Sequence, residues 1–231
     1  MPTSIVSFLI VLKLKEKNKE QKRQFPIKKI YFEFFKKIKN FNIKIKIILI
    51  LSFLKGILSS IIYFFVPIST YLNGGSLINA AILALVYSIP SLFGKFLGKI
   101  ADKKRLKIYF VSFFFIIIIL ISLAFIRNYL VLLGIMFISS IIFELVSLTN
   151  KGMVARFAER THLGETDGSL NGISALGAII GPVLFGLLLD LTTQTKAYLL
   201  IIFIAVIGLL TSFIGIRNFS KRKIQFYILS N

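Results

Sequence analysis

Six apolar stretches divide this chain, at approximately residues 47–69, 78–97, 108–126, 129–148, 170–189 and 197–216, and short polar connections separate them. A bilayer core about 30 Å thick is crossed by about 20 helical residues rising ~1.5 Å each. Within that core every backbone N–H and C=O needs a partner in its own helix, so an apolar run of this length reads as a transmembrane helix. The pattern predicts an all-α polytopic membrane protein with six spans. Composition agrees: 56% of residues are hydrophobic, 16% are charged, and the mean hydropathy of +0.85 leaves lipid as part of the solvent.

Charge then orients the spans. The net charge is +20, with 29 Lys and Arg against 9 Asp and Glu. Nucleic-acid binding would need that charge gathered on one soluble face. Instead, 26 of the 29 basic residues fall in alternate connections: Lys13 to Lys46, Lys95 to Lys107, Lys151 to Arg160 and Arg217 to Lys223. The other connections carry only Arg127 and Lys196, and Lys55 lies inside a span. Basic loops stay in the cytoplasm, which puts both termini there and the protein in the cell membrane as a multi-pass chain with no nucleic-acid partner.

Outside the spans, residues 1–12 contain an apolar run, Ile5 to Leu12, that is too short to cross and lacks the flanks of a signal peptide; it reads as the remnant of a preceding membrane helix. Residues 13–46 form a basic cytoplasmic loop. Within it, Pro26 opens a segment where Ile27, Ile30, Tyr31, Phe34, Phe35 and Ile38 recur at helical spacing, predicting an amphipathic helix on the anionic leaflet or against the bundle. Residues 47–217 are the transmembrane domain and 218–231 a cytoplasmic tail.

Chemistry is sparse. There is no cysteine, and His162 is the single histidine, which disfavours thiol, metal and most redox chemistry; no cofactor is expected. The strongest functional pointers are the two charges within spans, Lys55 and Glu144, because each costs about 2.5–3.5 kcal/mol at a helix centre. They fall at similar depth with opposite sign, suited to a salt bridge or proton exchange, although each side chain is long enough to snorkel to the interface. Tyr63, Ser59, Ser60, Ser139 and Ser140 share their spans and suit either a wet cavity or bonds to their own backbone. Gly94 and Gly98, four apart, allow close approach by another helix, and Asp102 among Lys103 and Arg105 suits a latch at a helix end. In the fifth span, small residues including Gly177 and Gly181 form a packing groove, and Pro182 breaks the hydrogen-bond ladder at a potential bend.

Gly98-Lys-Ile-Ala101-Asp102-Lys103 resembles the loop signature of the major facilitator superfamily, Gly-x-Leu-Ala-Asp-Arg/Lys, in its family position between the second and third helices of a six-helix half. The sequence departs from the signature after Lys103, where the family's glycine turn is missing. Ala155-Arg156-Phe157-Ala158-Glu159, followed by the glycine-spaced stretch to Asp190, is similar to the family's tenth and eleventh helices. The resemblance implies the C-terminal half of such a transporter, drug- or metabolite-exporter-like, built as two inverted three-helix repeats. It also implies a latch joining Asp102 to Arg156 and Glu159, and central-cavity positions for Lys55 and Glu144.

The function expected is secondary transport of a small solute by alternating access, with an N-terminal half-transporter or a second copy as partner, and the truncated apolar start favours a gene fragment. The alternatives weigh less. A rhomboid-type protease needs Gly-x-Ser-Gly and a histidine in a span, where this chain has Gly172-Ile-Ser174-Ala175 and a loop histidine, so no enzyme is expected. A channel-like or non-transporting six-helix subunit lacks an arginine ladder or filter loop to support it.

Overall fold

The computed structural model describes residues 41–103, 105–158 and 163–228, with the side chains of 105, 106 and 216–228 left aside. The expected helix remnant, the amphipathic segment after Pro26 and Glu159 lie outside the described residues.

Helix starts follow from side chains that accept orphan backbone N–H groups. Asn42 caps α1 (Ile43–Leu72), accepting from the Lys44 N–H at 3.3 Å, and Ser76 caps α2 (Leu77–Ser88), accepting from Asn79 at 3.1 Å. The tight turn between them needs glycine: Gly74 has φ +90°, outside the usual range of a side-chain-bearing residue, while the Gly75 N–H donates to the Thr70 carbonyl at 3.0 Å. A 3₁₀ segment (Ile89–Phe93) and α3 (Gly94–Lys103) complete the second span. Next comes α4 (Arg105–Phe125), whose end is closed by Arg127. Its guanidinium donates to the carbonyls of Leu123 at 2.8 Å and Ala124 at 3.2 Å, so a cation at the low-charge end satisfies orphan acceptors. Asn128 caps α5 (Tyr129–Phe157); α6 (Leu163–Leu191) and α7 (Gln194–Ile228) follow.

All six expected spans are present as helices long and apolar enough to cross a membrane. Several run further than expected. Gly94 to Lys103, read as a loop, is helical because Leu97 and Ala101 are buried on one side while Lys95, Lys99 and Lys103 stay exposed, an amphipathic register that packs against α5. Likewise α6 begins seven residues before the expected Leu170, at Leu163, on polar but helix-compatible residues.

The packing repeats itself with a swap. α1, the first span, packs most extensively on α6, the fifth, while α5, the fourth, packs on the second span through α2, the 3₁₀ segment and α3. The third and sixth spans, α4 and α7, pack on each other. Corresponding spans are also alike in exposure: only 11% of the second and 17% of the fifth are buried, against 67% of α1. Half of a major facilitator fold, with two inverted three-helix repeats, has this arrangement.

The α1–α6 contact is made backbone to backbone. A Cβ added at Gly56 would stand 2.2 Å from the Ser174 carbonyl oxygen, one at Gly177 2.3 Å from that of Phe53, and one at Gly181 2.4 Å from Ser60 Oγ. The predicted groove at Gly177 and Gly181 is therefore filled by α1, with Gly56 as its counterpart, and α6 continues as helix through Pro182. Gly94 and Gly98 differ: among the described residues a Cβ added at either would meet no neighbouring element within 4 Å, because α3 turns Leu97 and Ala101 to α5 and its glycines elsewhere. Near the basic end, Tyr109 of α4 donates to Asn150 Oδ1 of α5 at 2.5 Å in a buried setting, a polar tie where lipid offers no alternative partner.

Candidate functional site

A cavity of about 430 Å³ opens between α1, α2, α5 and the middle of α6. From α1 come Lys55, Ser59, Ser60, Tyr63 and Phe64, and from α5 come Ser140, Phe143 and Glu144. Tyr87, Ser88 and Ser91 line it from the second span, and Ala178 from α6. Lys55, Glu144, Tyr63 and Ser140, singled out as substrate or coupling candidates, thus share one wall. Lys55 and Glu144 are both half-buried, and among the described residues neither forms a salt bridge. The direct pair is thus not formed; both charged groups border the cavity instead.

The groups bordering the cavity are spread along α1. At one level Tyr63 meets Tyr87 with ring centroids 5.3 Å apart and Phe64 at 5.2 Å. Lys55 lies eight residues along α1 toward its basic end, about 12 Å at the helical rise. Ser59 and Ser60 fall between, donating within their own helix to the carbonyls of Gly56 at 3.2 Å and Ile57 at 2.9 Å. Their protons are committed, so toward the cavity these hydroxyls present acceptor lone pairs.

Ser140 behaves differently. Its hydroxyl crosses to α2 and donates to the Tyr87 carbonyl. The reason is in the 3₁₀ segment: i to i+3 bonding assigns the Tyr87 carbonyl to the N–H of residue 90, and Pro90 has none. Ser140 supplies the missing donor. Ser140→Ala should lower stability by about 1 kcal/mol by leaving that carbonyl unpaired. In a Pro90→Ala background, where an N–H is restored, the same change should cost less than half as much; equal costs in the two backgrounds, measured by unfolding in detergent, would remove this account.

At the basic end, Asp102 is exposed on the last turn of α3, which packs on α5, and Lys103 follows it. Arg156, on the last turn of α5, is exposed with its guanidinium 5.8 Å from the Phe157 ring centroid, and Lys44 covers the same ring at 4.6 Å. Asp102 and Arg156 thus lie on two packed elements, Glu159 lies outside the described residues, and of Arg105 only the backbone is described.

Tyr87, Ser88 and Ser91 were missed by sequence reasoning. Their signal was a polar cluster in the second span flanking Pro90, where a proline frees carbonyls that hydroxyls can serve. A second cavity of about 230 Å³ at the low-charge end, bordered by Arg127, Asn79, Tyr129 and Gln194, was missed as well. Helix ends are tied together here: Gln194 in the lining donates to Ser69 Oγ at 3.0 Å, and the adjoining Thr195 donates to the Ala124 carbonyl at 3.0 Å.

Six helices long and apolar enough to cross a membrane, in swapped repeat packing with a cavity bordered by Lys55 and Glu144 between the inner helices, define a multi-pass membrane protein. The sequence model of the Major Facilitator Superfamily matches residues 1–166, taking in the loop signature and both cavity charges, and the chain belongs to that superfamily of membrane transporters. No curated protein matches the chain.

Proposed function

We propose that the chain exports a small solute across the cell membrane by alternating access, with Lys55 and Glu144 in the solute path. The observation that carries this reading is the meeting of two opposite intramembrane charges in one cavity, since a bilayer tolerates such groups where they face a wet pathway. The cavity is open-sided and walled by α1, α2, α5 and α6, so a second wall is needed to close a path. An N-terminal half-transporter or a second copy of this chain provides it, covering the sparsely buried second and fifth spans. Rocking of one half against the other exposes the site to each side in turn, and the Asp102 and Arg156 region at the cytoplasmic end forms a latch that biases one of the two states. Glu144 is the carboxylate available for proton coupling.

Proteoliposomes enclosing a pH-sensitive dye provide the test, with the chain reconstituted alone and together with an N-terminal half. A pool of amino acids, amines and carboxylates added outside should produce a saturable pH change, which Glu144→Gln abolishes. An undiminished response in Glu144→Gln would remove that residue from coupling, and no solute-dependent flux in either reconstitution would contradict transport.

A further inference from the structure

We infer that the cavity accepts an amphiphilic zwitterion: a solute whose carboxylate meets Lys55, whose ammonium meets Glu144, and whose apolar or aromatic body lies toward Tyr63, Phe64 and Tyr87. This rests on the transport reading and specifies its substrate class. Three observations lead to it. First, the cavity is bordered by one lysine and one glutamate with no direct salt bridge between them among the described residues, so both groups remain open to a counter-ion. A solute carrying a single charge would satisfy one group and leave the other facing an uncompensated like charge, an arrangement disfavoured by several-fold or more in affinity. A net-neutral solute with both signs satisfies both.

Second, the ring cluster lies at a different level from Lys55. Tyr63 is about 12 Å from Lys55 along α1, and its ring contacts with Tyr87 and Phe64 form an apolar platform where a ring or alkyl body can pack. Third, the intervening serines donate their protons to backbone carbonyls: Ser59 and Ser60 within α1, and Ser88 and Ser91 to Ala84 at 3.1 Å and Ser88 at 2.7 Å. What they offer a solute is acceptor capacity, which suits an ammonium group and adds little for a second carboxylate.

The test uses three probes of one shape: L-phenylalanine, phenethylamine, which lacks the carboxylate, and 3-phenylpropionate, which lacks the amine. Binding to the full chain in lipid nanodiscs is measured by titration calorimetry or ligand-observed NMR. L-Phenylalanine should bind at least tenfold more tightly than either single-charge probe. Lys55→Met should lower phenylalanine affinity while phenethylamine, freed of a like charge, is retained and binds more tightly than before, and Glu144→Gln should lower phenylalanine affinity while 3-phenylpropionate is retained and gains in the same way. The retained probe shows that each variant is folded. If a single-charge probe binds as tightly as phenylalanine and responds to the cavity changes, the zwitterion class falls while the cavity stands as a solute site. If phenylalanine does not bind, or binds indifferently to both substitutions, the inference is overturned, and indifference by every bound probe removes the cavity from solute recognition as well.

Discussion

Gly177→Leu and Gly181→Leu should each prevent accumulation of folded protein in the membrane. The Cβ alone would lie 2.3 Å from the Phe53 carbonyl oxygen in the first case and 2.6 Å from that of Ile57 in the second, so α1 and α6 would have to move apart along the most extensive helix pair in the fold. Inserting atoms into a tight contact costs ~1–3 kcal/mol when side chains can yield; here one partner is backbone, which places the cost at the upper end or beyond. Even Gly177→Ala should be damaging. Gly56→Ala on the facing helix should match it, because its Cβ would meet the Ser174 carbonyl at 2.2 Å. The comparison that makes this specific is Gly94→Ala and Gly98→Ala. Both sites are open among the described residues, and alanine gains about 1 kcal/mol of helix propensity over glycine. Fluorescence size-exclusion profiles of the six variants should separate cleanly into two groups; similar losses in both would mean that the α1–α6 approach is not what these glycines serve.

The second large effect is expected at Lys55. Lys55→Glu places two carboxylates at one cavity, and should lower the unfolding midpoint more than Lys55→Met, which only removes the balancing charge. The exchanged pair, Lys55→Glu with Glu144→Lys, keeps both signs in the cavity. Interacting residues of this kind couple by ~0.5–3 kcal/mol, so the double variant should recover at least ~1 kcal/mol relative to the sum of its single changes. Thermal unfolding in nanodiscs of one lipid composition reads this directly. Additive losses would show that the two charges do not act on each other and that each serves a separate neighbour or snorkels to its own interface.

Much of the fold was legible because membrane helices carry a coarse signal. Lipid forces each span into about 20 apolar residues, and the basic connections then fix their alternation, so six spans could be located before any packing was known. Helix ends were less legible. The extension of α5 to Phe157 and the early start of α6 involve polar residues, whose helicity is set by packing and capping rather than by apolar content. Within the candidate site, Lys55 and Glu144 stood out since a charge in a span is costly, whereas Tyr87, Ser88 and Ser91 look ordinary in sequence. Their meaning depends on Pro90 withholding an N–H and on Ser140 arriving from another helix, a relation between residues 53 positions apart. The glycines make the same point. Gly56 and Gly177 are in backbone contact with a partner helix while Gly98 is in open space, and spacing alone does not distinguish them.

The absence of native cysteine makes one measurement especially direct. Single cysteines would be placed in the cavity wall at Ser59 and Tyr63 and on outward faces at Ile118 and Phe203, which are 42% and 70% exposed. Each variant, reconstituted in proteoliposomes with the half that closes the path, would be treated with a membrane-impermeant thiol reagent from either side. Alternating access around this cavity predicts that Ser59→Cys and Tyr63→Cys are modified from both sides in turn, while Ile118→Cys and Phe203→Cys, bathed in lipid, remain unreacted. Cavity cysteines as inert as the lipid-facing pair, or reactive from one side only under every condition, would contradict it.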